Sequence, residues 1–341
     1  MTKGRWTLPL VTALLIAVGS GIGFAIPSLS GPTGIVSVPT AAVAPANSLQ
    51  LALSYQALDV ARDSLGSAIG AKGSDVGKVL WENGLRSPGQ PMDTPTGPAI
   101  PFPDPLASDP SNSMPPTVAQ ALPDKFDQSL WDLQALAGIT NQAELGLAYS
   151  HVRGGKDPVK LGGHIWSVFG KYQLTKEPQE TASLAIGGGL QSWRDALTVS
   201  TTSASIDVST RNAYIVATKD FTPLKGESWE WSSGGGSRML GSLGLLYLSS
   251  DAGLARGESL TKPFVGLEFV GAGGTTLGLE YRWKDDDVDS KAVFSAVLRH
   301  AFSPEITAEV GTTNASPIGF GLNDQDFFVR LGYSIPMKGL R

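Results

Sequence analysis

Leu277-Gly278-Leu279-Glu280-Tyr281-Arg282-Trp283-Lys284 decides how the rest of the chain is read. Its odd positions are all large and apolar, and its even positions are glycine or charged. Because successive strand residues point to opposite faces, a strand built from it has one wholly apolar face and one face carrying three charges. The same two-residue period returns along the chain. Leu49, Leu51, Leu53 and Tyr55 alternate with Gln50, Ala52 and Ser54, while Ala143, Leu145, Leu147 and Tyr149 alternate with Gln142, Glu144, Gly146 and Ala148. Near the C-terminus Phe327, Val329, Leu331, Tyr333 and Ile335 alternate with Phe328, Arg330, Gly332 and Ser334.

With weaker segments included, the period predicts about twelve strands, near residues 49–56, 131–139, 142–151, 163–174, 181–191, 211–221, 238–249, 263–271, 275–284, 290–302, 305–313 and 325–335. Leu130 to Ile139 also fits a helix face closed by Gly138, but Thr140-Asn141 as a tight turn favours a strand there. Such lengths, roughly eight to eleven residues, are those of a tilted membrane strand.

A soluble sandwich also alternates, but its solvent face is rich in Lys, Glu and Thr. Here the second face is dominated by Gly, Ala and Ser, which suits the crowded interior of a modest barrel. Tyr149, Trp166, Tyr172, Trp193, Tyr247, Trp283 and Tyr333 fall near proposed strand ends, as interfacial girdles would require. A lipid-facing Lys or Arg at mid-membrane costs roughly 2 to 4 kcal/mol, and on this register Arg282, Lys284 and Arg330 turn inward. Arg299 is the exception, sharing a face with Val293 and Val297, which puts it near a rim or shifts the register there. The fold class expected is all-β, an antiparallel transmembrane barrel.

The N-terminus has Lys3 and Arg5, then an apolar run from Leu8 to Phe24, and Gly23-Phe24-Ala25 offers the small residues of a cleavage site. Residues 1–25 are therefore expected to be a signal peptide, 26–48 an N-terminal segment, and 49–341 the barrel. The competing reading is an uncleaved helical anchor. Links read back from the C-terminus alternate long and short, with the Gly-rich stretch 222–237 as a misfit, and twelve strands put both termini at the short-turn rim. The Pro-rich insertion 57–129 then lies at the opposite, extracellular rim. Its first half, Asp59 to Leu85, has room for one or two short helices stopping at Gly84, and it reads either as a surface loop or as a lid or plug over the mouth.

Composition narrows the function. There are 26 basic and 31 acidic residues, net charge -5, so no basic stripe exists to follow nucleic acid. No Cys is present, which removes disulfides, thiolate metal sites and a lipid-modified N-terminal Cys. Asp285, Asp287 and Asp289 have Ca²⁺-loop spacing, but Ser290 and Ala296 occupy the positions that need Gly and Glu, so a solvated acidic loop is expected. His151, His164 and His300 are scattered, although the first two flank one proposed loop. Gly187-Gly188-Gly189 and Gly234-Gly235-Gly236 lack the Lys-Ser/Thr of a phosphate loop and read as a close-packed strand and a flexible link. Ser167 and Ser303 each follow a His by three residues, a separation that points them to opposite strand faces. No cofactor, metal or catalytic set is expected.

Ser30-Gly31-Pro32-Thr33-Gly34-Ile35-Val36, then Val38-Pro39-Thr40-Ala41, then Ser48-Leu49-Gln50-Leu51 resembles the start of the exopolysaccharide-biosynthesis outer-membrane proteins, the YjbH-like group. Ile139-Thr140-Asn141 before Glu144-Leu145-Gly146, and Phe302-Ser303-Pro304 before Glu309-Val310-Gly311, resemble hairpins of such barrels. The chain is shorter than the group's large members, and Pro336 to Arg341 follow its last aromatic residues. The resemblance implies a place in the outer membrane of a Gram-negative-type bacterium and a role in exopolysaccharide export. Outer-membrane lipid, the barrel assembly machinery and polysaccharide or export components are the partners expected. The leading expectation is a non-enzymatic channel or scaffold, with a general small-solute porin and a secreted soluble β-protein binding glycan as alternatives. Glu144, Glu268, Glu280, Arg282, Glu309 and Arg330 are the lumen-facing candidates, either lining a pore or pairing inside a filled barrel.

Overall fold

The computed structural model describes residues 34–82, 122–221 and 238–337, apart from 35, 156, 158, 177–181, 200–203, 253–254, 272, 286–287 and 290. The expected signal peptide, Gly84 and Gly234-Gly235-Gly236 lie outside the described residues.

The strands are β1 (Ser48–Ala61), β2 (Lys125–Gly138), β3 (Ala143–Gly154), β4 (Val159–Leu161), β5 (Gly163–Thr175), β6 (Ser183–Val199), β7 (Ala204–Asp220), β8 (Arg238–Ala252), β9 (Ala255–Val270), β10 (Thr275–Arg282), β11 (Val293–Ala301), β12 (Ile306–Ala315) and β13 (Gly321–Pro336). Every strand but β4 pairs antiparallel with its neighbour along the chain, and β1 closes the ring on β13 from Ser48–Pro336 to Gln56–Phe328. The result is a closed barrel of twelve strands, with β4 a short extra rung on the end of β6. All twelve expected strands are present.

Two rims differ in kind. At the turn rim, Ile139 and Thr140 donate to the Ala143 carbonyl, and Ser303 Oγ accepts the Glu305 and Ile306 amides, so both predicted tight turns are made locally. Both barrel termini, Ser48 and Pro336, lie at this rim. At the opposite, loop rim the strands run further than their oily faces suggested. β6 and β7 replace most of the long link expected over 192–210, β8 and β9 most of that over 250–262, and β1 and β2 shorten the Pro-rich insertion at both ends. The physical reason is visible on β1. Leu49, Leu51, Leu53 and Tyr55 face out along the belt, and beyond them Ala57 and Asp59 take the outer face while Leu58 and Val60 are buried inside. The alternation continues past the membrane with its polarity reversed, so a search for an oily outer face stops too soon.

Outside, each of the twelve strands exposes at least one large apolar side chain, among them Leu133, Leu145, Leu190, Leu243 and Leu331. Trp131, Tyr149, Trp166, Tyr247 and Trp283 stand toward the loop rim and Tyr172, Phe269 and Tyr333 toward the turn rim, the two-girdle pattern of a membrane barrel. Trp193 is not among them. It stands on the inner face of β6 in step with buried Ala185, while Ile186, Leu190 and Arg194 face out, and its indole Nε1 donates to the Gly162 carbonyl; a bulge with Asp195 at φ 54° follows it, between Trp193 and Leu197. Lys284 lies beyond the end of β10 and is exposed rather than inward-facing. Among the described residues no helix is long and apolar enough to cross a membrane; the crossing is made by strands.

Candidate functional site: the filled lumen

The barrel is not empty. Residues 34–47 turn into it from the turn rim, and Val36, Val38, Ala41 and Ala44 are fully buried. A bridge between Gly34 and Pro39 closes a tight loop whose amides converge on one carboxylate. Glu280 Oε2 accepts the Val36 and Val38 amides at 3.0 and 3.1 Å, both oxygens accept the Ser37 amide at 2.9 Å, and Ser37 Oγ also donates to Oε1. Lower down, the Ala44 amide donates to Glu144 Oε2 at 2.7 Å, and the Ala41 amide to Thr218 Oγ1 at 2.8 Å. Lys171 Nζ bridges the Thr40 carbonyl (3.1 Å) and Glu144 (3.2 Å), and Arg299 Nη2 reaches the Gly34 carbonyl (3.3 Å). The entry point is Gly138 on β2, where any Cβ would lie 1.9 Å from the Pro45 carbonyl oxygen; only glycine lets the segment pass so close.

The opposite end is closed differently. After β1 comes a 3-10 turn (Arg62–Ser64), then helices α1 (Leu65–Ile69) and α2 (Gly73–Glu82), so the insertion begins with the helices its sequence allowed. Leu65, Ala68, Ile69, Val76 and Leu80 are buried with Leu58, Val60 and Phe126 from the strands and Ile318, Phe320 and Leu322 around the β12–β13 connection. Gly70 sits at φ 69°, with Phe320 and Ser250 so near that an added Cβ would lie 2.6 Å from each. Two hydrogen bonds add to this packing, from Ser67 Oγ to the Val288 carbonyl (2.6 Å) and from Ser250 Oγ to the Ile69 carbonyl (3.3 Å).

All six lumen-facing candidates are buried inward, but their neighbours differ. Glu280 and Glu144 hold the inner segment. Glu309 receives Arg299 Nε at 2.5 Å and Arg330 Nη1 at 3.2 Å, and Arg299 extends the cluster to Glu268 at 3.6 Å. Arg282 joins neither group, and makes no hydrogen bond or ion pair among the described residues. Arg299 itself faces the lumen with Val293 and Val297, so those valines are interior residues and Phe294 is the exposed one. Lys171, Thr218 and the buried Lys262–Asp289 pair were not singled out in the sequence; Lys171 carried a usable signal, lying in step with Ser167 and Phe169 against exposed Val168 and Tyr172.

Between the two closures lies a cavity of about 50 Å³, bordered by Ser37, Gln56, Asp132, Ser167, Tyr214 and Arg282 among others. A buried water needs roughly 10–15 Å³ measured this way, so it holds a few. Asp132 accepts from Ser150 (2.8 Å), Gln134 (2.6 Å) and Ser54 (3.4 Å).

The other sequence motifs fall elsewhere. Asp289 is buried rather than solvated: it meets Lys262 and accepts the Asp285 and Gly321 amides at 2.9 and 2.7 Å, while Asp287 lies outside the described residues. His151 and His164 do meet, Nδ1 to Nδ1 at 3.2 Å, but on the outer wall beside Tyr149. Ser167 faces the lumen while His164 faces out, and Ser303 caps its own turn. No group of three or more potential metal ligands converges among the described residues.

No family model and no curated protein matches the chain. Among solved structures it is similar to the COG4313 outer membrane channel from Pseudomonas putida F1, at 12% identity and TM-score 0.42 over 88% of this chain and 100% of that one. It is also similar to the translocator domain of autotransporter NalP from Neisseria meningitidis (10% identity, TM-score 0.40, 84% and 88% covered) and to the KdgM porin in complex with disordered oligogalacturonate (12%, 0.39, 62% and 95%). None of these likenesses bears on what the chain does.

Proposed function

We propose that the chain is an outer-membrane channel closed at rest by its own N-terminal segment, a gated conduit for a polar solute. The observation that carries this reading is the chemistry of the closure at the turn rim. Residues 34–47 are held by carboxylates, a lysine and a hydroxyl, against a middle lumen lined with Gln50, Ser54, Gln56, Asp132 and Ser167. A barrel that served only as a scaffold is filled at lower cost with apolar side chains, because each buried polar group lacking a partner costs about 1–3 kcal/mol. Water restored to that lumen satisfies those groups.

A general porin needs an unobstructed lumen, which neither closure leaves, and a soluble glycan-binding protein has no use for a continuous oily belt. The exopolysaccharide link rests on the resemblance of Ser30 to Ala41, and the part of that stretch from Gly34 onward includes the loop seated on Glu280. Planar-bilayer recording tests the conduit. The wild type is expected to be silent, and Glu280→Ala combined with Phe320→Ala, which frees the inner segment and thins the opposite closure, is expected to conduct in steps. A silent double variant that still migrates as a folded, heat-modifiable barrel leaves the scaffold as the function.

A further inference from the structure

His151 on β3 and His164 on β5 stand directly opposite each other across an antiparallel pair, one rung inside the last, Val152–Gly163. Both point to the outer wall, His151 half-buried and His164 exposed, on the loop-rim side of the girdle residues Tyr149 and Trp166. Residues so opposed hold their Cβ atoms about 4.5–5.5 Å apart, so the two rings share one small volume on a face that hydrated ions reach. Their Nδ1 atoms are 3.2 Å apart and their ring centroids 4.7 Å.

That contact asks more of His164 than its nitrogen can give. An imidazole Nδ1 offers one lone pair or one hydrogen. His164 Nδ1 is nonetheless approached from two directions, by His151 Nδ1 and by Tyr149 Oη at 2.6 Å. Whichever way the nearer tyrosine contact is polarised, the histidine–histidine contact is left without a full hydrogen bond. A cation between the two nitrogens answers both lone pairs at once. Ligands bound to a tetrahedral Zn²⁺ stand roughly 3.3–3.4 Å from each other, so the observed 3.2 Å is already the bite of a chelate. The rings lie 27° from parallel, and a turn about χ2 on this open face aims each lone pair without disturbing the core. Across the next strand Arg194 stands opposite His164, and Asp207 neutralises it at 3.0 Å. Arg153 lies one rung further out, exposed to water.

We propose that His151 and His164 form a two-nitrogen chelate for a borderline transition-metal ion, Zn²⁺ or Cu²⁺, at the loop-rim edge of the oily belt. Imidazole favours these ions over Mg²⁺ and Ca²⁺, which take oxygen ligands. The remaining coordination positions face outward and are filled by water, and Tyr149 Oη, released from His164, hydrogen-bonds to one of those waters. The bound ion ties β3 to β5 at the root of the connection that carries β4, on the opposite side of the wall from the inner segment. The inference goes beyond the conduit reading and stands whether or not the lumen conducts.

Tag-free, full-length protein, refolded into detergent micelles and stripped with a chelator, is titrated by calorimetry with ZnCl₂ and separately with MgCl₂. Saturable uptake of one Zn²⁺ per barrel is expected, with a thermal midpoint that rises as Zn²⁺ is added, and no uptake of Mg²⁺. His151→Gln and His164→Gln, each still a folded, heat-modifiable barrel, are expected to weaken Zn²⁺ at least about tenfold, and His300→Gln, on β11, not at all. CuCl₂ added to the wild type is expected to give an electron paramagnetic resonance signal split by two imidazole nitrogens, which reads the ligands without any substitution. Zn²⁺ binding that the His151→Gln/His164→Gln double variant retains places the ion elsewhere and overturns the proposal. So does equal uptake of Mg²⁺, a copper signal lacking the two nitrogens, or no saturable uptake of Zn²⁺.

Discussion

The barrel is stopped at two ends by opposite chemistries. At the loop rim Leu65, Ile69, Val76 and Phe320 form a core continuous with the strands, of the kind that any globular domain folds around. At the turn rim Val36, Val38 and Ala41 join that same core, but the segment that carries them takes its position from hydrogen bonds to Glu280, Glu144, Lys171 and Thr218. Apolar packing is non-directional and is lost only when the whole core opens. A seat made of a few directional hydrogen bonds can be given up locally when another acceptor or donor, or water, takes over each bond. One end is a cap and the other a latch.

Phe320→Ala is the severest challenge to that distinction. It empties a fully buried aromatic site, and losses of about 3–5 kcal/mol are usual for such a change. Urea unfolding in micelles is expected to show the loss as a lower midpoint for the whole barrel, with residues 34–47 still protected from hydrogen exchange. If those residues lose protection instead while the midpoint holds, the two closures are one unit.

Thr218→Val is the matching probe of the latch. Valine keeps the shape but removes the acceptor of the Ala41 amide and the partner of Ser242 Oγ at 2.9 Å. A stranded buried amide costs about 1–3 kcal/mol, and here the cost falls on the seating of the segment. Faster exchange of the Ala41 amide, by about five- to a hundredfold, is expected while the global midpoint moves little. A midpoint drop as large as that of Phe320→Ala makes the segment part of the core.

The same contrast explains what the sequence could tell. Strand existence and the sense of each face follow from neighbours two residues apart, and Leu277 to Trp283 carries that information within itself. The inward set at Glu280, Arg282 and Arg330 is legible for the same reason. What each of those charges meets is not, because Val36 and Glu280 stand 244 positions apart and no local period links them. Residues 34–47 were visible only as a resemblance, since a segment that supplies mainly backbone amides leaves little trace in side-chain pattern. Trp193 does not join a girdle because β6 runs on past residue 191 to Val199, and the unbroken period from Ala185 places the indole on the inner face rather than beyond the strand end. Asp289 was misplaced because Lys262, its partner, lies on another strand.

The smallest effect isolates burial from charge. Lys171–Glu144 and Lys125–Asp324 have nearly the same separation, 3.2 and 3.1 Å, but the first pair's side chains are 0% exposed and the second pair's 54% and 36%. Lys125 stands at the start of β2, six residues before the belt begins at Trp131, so it meets water rather than lipid. Its hydrogen bond to Asp324, and then the charge of that carboxylate, raise the ammonium above the usual 10.5. A raised lysine contributes fully below its unfolded value and loses that contribution only as pH climbs through the higher folded one, so at neutral pH the pair is intact. Full solvation and salt screening nonetheless leave an exposed pair nearly without effect. Lys125→Ala is therefore expected to leave both the unfolding midpoint and the exchange of residues 34–47 unchanged at pH 7. A shift comparable to that of Thr218→Val means that charge at the rims, wherever it sits, holds the closures, and the latch then owes nothing to being inside the barrel.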